Sequence, residues 1–321
     1  MENLIFSLNA TLPLFLLMAL GYIFNRINLM DERAANWMNK FVFKVALPVV
    51  VFEDLATQDF RQNFNLKFIL YCFITTVVSI ALISLLGRLL VKTTSRRGEF
   101  VQGAYRSSAA LLGMAFIHNI YGDGSTGMAP LMILGSVPLY NIFAVIILTL
   151  TVPRIETEKD EPKEKLVKKT VIGIVTNPII LGILLGLVWS LIRIPMPKIM
   201  GTVVDNVGCL ATPLGLMSMG ATFKFKEAIK DIKPAVVASF IKLFGLVALF
   251  IPVAVYLGFA GEQIVAILVM LGSATTVSSF IMAKSMGHEG TLSSSIVMMT
   301  TFLCSFSLTF WLYLFKTLGL I

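Results

Sequence analysis

Residues 46–57 read ALPVVVFEDLAT, and residues 211–222 read ATPLGLMSMGAT. Four positions agree: Ala46 with Ala211, Pro48 with Pro213, Ala56 with Ala221 and Thr57 with Thr222, each pair 165 residues apart. The same interval links Pro13 to Pro178, Gly21 to Gly186, Phe60 to Phe225, Ser108-Ala109 to Ser273-Ala274, and Gly122 to Gly287. Leu and Val coincidences are cheap in apolar sequence. Paired prolines and glycines are not, because each marks a special backbone requirement. One ungapped interval points to an ancient duplication. The agreement is dense over 11–60, vanishes through 66–91, and returns at Ser108, Ala109, Gly122 and Thr126.

Composition sets the solvent. The 321 residues are 57% hydrophobic and 14% charged, where a soluble domain carries about 25% charged residues. A globule this apolar has nothing to put on its surface, so the lipid bilayer is the expected environment. Long continuous apolar runs, not alternating ones, select helices over a barrel. The net charge of +8 does not imply a nucleic-acid partner. Its basic residues sit in short loops between apolar runs, which is the pattern that orients a membrane protein. Cys72, Cys209 and Cys304 are isolated within apolar runs and read as packing residues; the two histidines, His118 and His288, have no metal-like companions. No metal and no cofactor are expected, and the nucleotide-binding G-x-x-x-x-G-K-[ST] pattern does not occur. The first apolar stretch, with no basic residues ahead of it, reads as a retained span, not a cleaved signal.

Ten spans are predicted, at roughly 8–26, 41–58, 66–91, 100–120, 128–152, 170–193, 203–222, 234–257, 262–286 and 291–316. Five precede the polar segment RIETEKDEPKEKLVKK at 154–169 and five follow it. The expected organisation is a first repeat at 1–153, a cytoplasmic linker at 154–169 and a second repeat at 170–321. Alternate loops hold 20 of the Lys and Arg residues, against 5 on the other side. The richer side is cytoplasmic, so both termini face outward and the protein is a multi-pass component of the plasma (inner) membrane. With five spans per repeat, the second copy enters from the opposite side and the repeats are inverted. Inverted repeats are a hallmark of secondary transporters, with the substrate site near the bilayer midplane between them.

The fourth span contains RSSAALLG at 106–113, and the ninth contains GSATTVSS at 272–279. Runs of small and hydroxyl residues let backbones approach closely. Where such a helix unwinds beside a cavity, hydroxyls and freed backbone groups can bind a polar solute, and half-helix N-termini favour an anion. Tight helix packing without a ligand is the alternative; the matching positions of the two runs favour a site.

These segments carry a family resemblance along essentially the whole chain. ALPVVVFEDLA at 46–56, LLGMAFIHNIYGDG at 111–124, PLYNIFAVI at 138–146, ATPLGLMSMGATF at 211–223 and SSFIMAKSMGHEG at 278–290 resemble the auxin efflux carrier family. That family includes plant auxin exporters and bacterial malate or malonate permeases. The resemblance implies an all-α integral membrane protein of ten transmembrane helices in two inverted five-helix repeats. It implies that helices four and nine are broken and cross at the midplane, and it hints at a homodimer. Where family members carry crossover prolines, this chain has Ala115 and Ala274, and Ser108 stands in place of an asparagine.

The expected function is a secondary transporter (a permease or efflux carrier) for a small organic anion such as a carboxylate, working by alternating access at the helix four and nine crossing. Substrate contacts are expected from Ser107, Ser108, Ala109, Gly113, Asn141, Thr275, Thr276, Ser278 and Ser279. Pro48, Pro213, Ala115 and Ala274 are expected at kinks of the crossing region. Arg106 would either collect a carboxylate or anchor the cytoplasmic end of its span. Glu53 and Asp54 read as interfacial acids or, if deep, as proton carriers. Lys242 would pair with an acid, attract an anion or snorkel. Rival readings are a sodium-coupled symporter of the bile-acid type, for which spans four and nine lack clustered acids, and a membrane sensor built on a carrier fold. Nothing resembling paired catalytic acids or a Ser–Lys arrangement occurs within the spans, so no enzyme activity is expected.

Overall fold

A computed structural model describes residues 2–57, 64–110, 112, 117, 120–121, 128–153, 171–192 and 195–321, with side chains from residue 12 onward. Gly113, Ala115, His118 and the linker 154–169 lie outside the described residues. Among the described residues every regular element is helical. Five helices are long and apolar enough to cross a membrane: Leu66–Leu90, Met128–Thr151, Lys198–Ala221, Ile232–Tyr256 and Thr291–Thr317. Three shorter apolar helices accompany them, Leu12–Arg26, Pro178–Ile192 and Glu262–Gly272.

The chain begins with α1 (Glu2–Arg26), followed by α2 (Glu32–Phe41), whose Asp31 cap accepts the Ala34 N–H at 2.7 Å. That cap starts the second helix nine residues before the expected span. A π-helical turn, Val42–Ala46, joins α2 to α3 (Leu47–Ala56). Pro48 explains the turn. Proline has no N–H to offer the Lys44 carbonyl and its ring would clash there, so the backbone widens one turn earlier. Then come α4 (Leu66–Leu90), α5 (Thr94–Tyr105), α6 (Met128–Thr151) and α7 (Pro178–Ile192). Next are α8 (Lys198–Cys209) and α9 (Ala211–Ala221), separated by a break at Leu210 just before Pro213. After the short α10 (Phe225–Lys230), α11 (Ile232–Phe240) leads through a second π-helical turn, Ile241–Gly245, into α12 (Leu246–Tyr256). The chain closes with α13 (Glu262–Gly272), α14 (Ser278–Ser285) and α15 (Thr291–Thr317).

Two packed groups result. In one, α1 lies against α9, and α3 lies against α7. These contacts are backbone-close. A Cβ on Gly21 would stand 2.1 Å from the Met217 carbonyl oxygen, and one on Gly186 would stand 2.8 Å from that of Phe52. Both the glycines and their partners are 165 residues apart. In the other group α4, α5, α6 and α11 to α13 bury a continuous apolar core around Phe68, Phe100, Val247 and Leu268. Outward-facing Leu, Ile, Val and Phe on α1, α4, α7 and α15 stay exposed, as a lipid-facing surface requires.

Candidate functional site

Two helices of the second group stop in mid-course. Helix α5 ends at Tyr105; Arg106 turns to φ −73°, ψ 135°, and helical backbone resumes at Ala109. Helix α13 ends at Gly272; Ser273 turns to φ −78°, ψ 166°, and α14 begins at Ser278. The two interruptions touch, for the Ser108 N–H donates to the Ala274 carbonyl at 2.9 Å.

Residue type explains why the chain unwinds here. An interrupted helix leaves carbonyls without intrahelical partners, and each must find a donor when buried. Thr275 Oγ1 donates to the Gly103 carbonyl at 2.7 Å, and its own N–H donates to Thr300 Oγ1 at 3.0 Å. Tyr140 Oη donates to the Met270 carbonyl at 3.0 Å, which also accepts from the Ser107 hydroxyl. Gln102 Nε2 reaches the Ser279 carbonyl at 2.7 Å. At the interruptions themselves the short hydroxyl side chains of Ser107 and Thr275 make these bonds in a narrow space. Larger residues would hold the helices apart.

A cavity of about 260 Å³ opens beside the interruptions. Its polar wall is formed by Arg106, Ser107, Ser108, Asn141, Tyr140, Thr276 and Ser278, and Asp54 joins it from α3. Leu14, Leu47, Val50, Val137 and Ile281 supply apolar wall. Arg106 is 4% exposed, so it is no interfacial anchor. Its Nη2 donates to Asn141 Oδ1 at 2.5 Å and Nη1 to the Met282 sulfur at 2.8 Å, while Nε has no partner. Asn141 is held in turn by its Nδ2 donating to the Val137 carbonyl at 3.0 Å. Among the described residues no carboxylate, Asp54 included, lies within ion-pair distance of Arg106.

The expected contact residues therefore divide. Ser107, Ser108, Ala109, Asn141, Thr276 and Ser278 line the cavity, with Thr276 and Ser278 hydroxyls 3.1 Å apart. Thr275 and Ser279 are buried behind the wall. Ala274 sits at the bond between the interruptions, and Pro48 and Pro213 lie away from the cavity wall at the breaks before α3 and within α8–α9. Glu53 is outside the cavity, its carboxylate within reach of Gly208. Lys242 does not snorkel: it is fully buried against the Met270 and Leu271 carbonyls and the Ser107 hydroxyl, with no acid among the described residues within ion-pair distance. Tyr140, Gln102 and Glu99 were not anticipated. Glu99 accepts the Gly290 and Ser293 N–H groups at 3.1 and 2.8 Å and so fixes the start of α15. Tyr140 adjoins Asn141, and Glu99 and Gln102 stand three apart at the polar start of an apolar run, which was the available signal. Among the described residues no group of three or more His, Cys, Asp or Glu is placed to hold a metal ion.

Relatives bear on the reading of this cavity. The chain is 22% identical over 306 residues to a protein of Methanothermobacter thermautotrophicus named "Uncharacterized transporter", covering 95% of this chain and 97% of that one. It is 27% identical over 319 residues to a Rhizobium meliloti protein named "Putative malonate transporter", covering 95% of each. The sequence model described as membrane transport protein matches residues 6–312, and the chain accordingly belongs to the membrane transport protein family, of the auxin efflux carrier type.

Proposed function

We propose that this protein is a secondary transporter for a small dicarboxylate of malonate size, bound in the cavity between the two interrupted helices. The observation that carries the proposal is Arg106. Its guanidinium is buried in the cavity wall with no carboxylate partner among the described residues. Of its five N–H donors, two are spent on Asn141 and Met282. The remaining donors suit a bidentate carboxylate, the geometry for which arginine is chosen over lysine. Ser108, Thr276 and Ser278 hydroxyls stand in the same wall for a second carboxylate. A malonate transporter among the relatives supports the same substrate class.

The proposed architecture is two inverted five-helix repeats, 1–153 and 170–321, joined by a cytoplasmic linker, with both termini outside. Its support is the matched packing of Gly21 on Met217 and Gly186 on Phe52, together with breaks before Pro48 and Pro213 and interruptions at Arg106–Ser108 and Ser273–Val277 that coincide at the matched pair Ser108 and Ser273. In this reading α1, α3, α7 and α9 form a scaffold. The crossing helices and their companions move against it, exposing the cavity to each side in turn. Each negative charge expelled from a negative interior gains about 2.3 kcal/mol per 100 mV, so export needs no coupled ion and import does. Asp54, the acid in the cavity wall, is the group that a co-transported proton would use.

Uptake of labelled malonate into proteoliposomes, with imposed potential and pH gradient, tests this. Saturable, potential-dependent flux is expected. No flux of malonate, malate or other small carboxylates above protein-free vesicles would end the proposal.

A further inference from the structure

A second buried cation bonds the interruptions without lining the cavity. Lys242 is 0% exposed and takes no part in the cavity wall. It sits in the π-helical turn Ile241–Gly245, where the Leu243 carbonyl accepts the Trp311 indole N–H at 2.9 Å. Lys242 Nζ donates to the Leu271 carbonyl at 2.6 Å, to the Met270 carbonyl at 3.4 Å and to the Ser107 hydroxyl. Ser107 passes its own proton to the Met270 carbonyl, so its oxygen is an acceptor toward Lys242. Among the described residues Nζ faces oxygen acceptors only, as suits an ammonium; a neutral amine would leave its lone pair facing an oxygen. No carboxylate among the described residues is within ion-pair distance of it.

A buried charge without a counter-ion is costly. The offset here is the end of α13. Met270 and Leu271 carry two of its last carbonyls, which the interruption deprives of intrahelical partners and which form the negative end of the helix dipole. We propose that Lys242 is a tethered cation that locks the two interrupted helices together, bonding the C-terminal end of α13 on one side and Ser107 of the first interruption on the other. It is a positioning residue. It reaches the cavity only through Ser107, the neighbour of Arg106. The inference concerns the crossing itself and stands whatever solute the cavity carries.

Removing the side chain should leave a pocket of oxygens that a free small cation fills. Lys242→Ala protein, purified in detergent, is unfolded by heat in methylammonium chloride and, at equal ionic strength, in tetramethylammonium chloride. We expect a saturable rise in Tm of about 2–4 °C with methylammonium, none with the bulkier ion, and none for the wild type with either. Lys242→Gln keeps a donor and most of the volume but no charge; its Tm should fall below wild type and stay there in methylammonium. A Lys242→Gln protein as stable as wild type, or a Lys242→Ala protein indifferent to methylammonium, would overturn the proposal. If Lys242→Ala gives no folded protein, the Lys242→Gln comparison decides alone.

Discussion

Replacing Arg106 separates recognition from stability. Arg106→Gln removes the cation that the described residues give the cavity wall and the donor that Asn141 Oδ1 accepts at 2.5 Å. In the liganded protein it strands a carboxylate beside a neutral amide. Truncating one partner of a buried, hydrogen-bonded charge pair costs about 2–5 kcal/mol, or roughly 30- to 4,000-fold in affinity. Arg106→Lys restores the charge but not the fork, losing one charge-assisted bond of about 1.5–3 kcal/mol, or roughly 10- to 150-fold. The empty protein should respond the other way. A buried charge with no counter-ion is a burden that the neutral variant sheds, against an orphaned Asn141 oxygen worth about 1–3 kcal/mol. The two roughly cancel, so Tm should move little. Malonate affinity measured by equilibrium binding, alongside thermal unfolding of the same preparations, reads both quantities. Affinity falling in the order wild type, Lys, Gln at near-constant Tm is the expected outcome. Unchanged affinity in Arg106→Gln, or a loss that tracks a collapse in Tm, would refute the reasoning and make Arg106 a structural residue.

Adjacent threonines should behave differently. Thr275→Val orphans the Gly103 carbonyl and should cost about 1–3 kcal/mol of stability with KM unchanged, whereas Thr276→Val should raise KM about fivefold at wild-type Tm; paired uptake and unfolding assays distinguish them. Overpacking should rank with the approach distance: Gly21→Ala, 2.1 Å from backbone, should destabilise more than Gly186→Ala, 2.8 Å from backbone, each within about 1–3 kcal/mol, as read from thermal unfolding.

The long apolar helices were legible because hydropathy and length leave little choice in lipid: the spans expected at 66–91, 128–152, 234–257 and 291–316 match described helices to within two residues. The interruptions were legible too, since Ser107-Ser108, Gly272-Ser273 and Thr275-Thr276 are weaker helix formers and their hydroxyls can satisfy the freed backbone. What could not be read was orientation inside the interruptions. Periodicity assigns faces only where the backbone is regular. Thr275 and Thr276 are the same residue type one position apart, yet one braces Gly103 and the other lines the cavity. Lys242 was opaque for another reason. Its partners lie 28 and 29 residues onward and 135 residues back, at carbonyls that exist as free acceptors only because another helix stops there.

Under the proposed inverted-repeat architecture, the buried cations Arg106 and Lys242 would let a symmetrical scaffold serve an asymmetric task. Under the proposed repeat equivalence Arg106 corresponds to Leu271, and Lys242 to Val77, so neither charge has a copy of itself in the other repeat. Each interruption nevertheless meets a buried cation. The first supplies it from its own sequence, as the Arg106 side chain in the cavity wall. The second borrows it from the neighbouring helix: Lys242 bonds the carbonyl of Leu271, the very position equivalent to Arg106. A duplicated pair of broken helices would present two equal ends to a solute. Here one charge is sealed between the interruptions and the other keeps unspent donors, so under the proposed function a solute would meet a guanidinium on a fixed wall. On that reading duplication accounts for the place of the site, and the unmatched cations account for its charge.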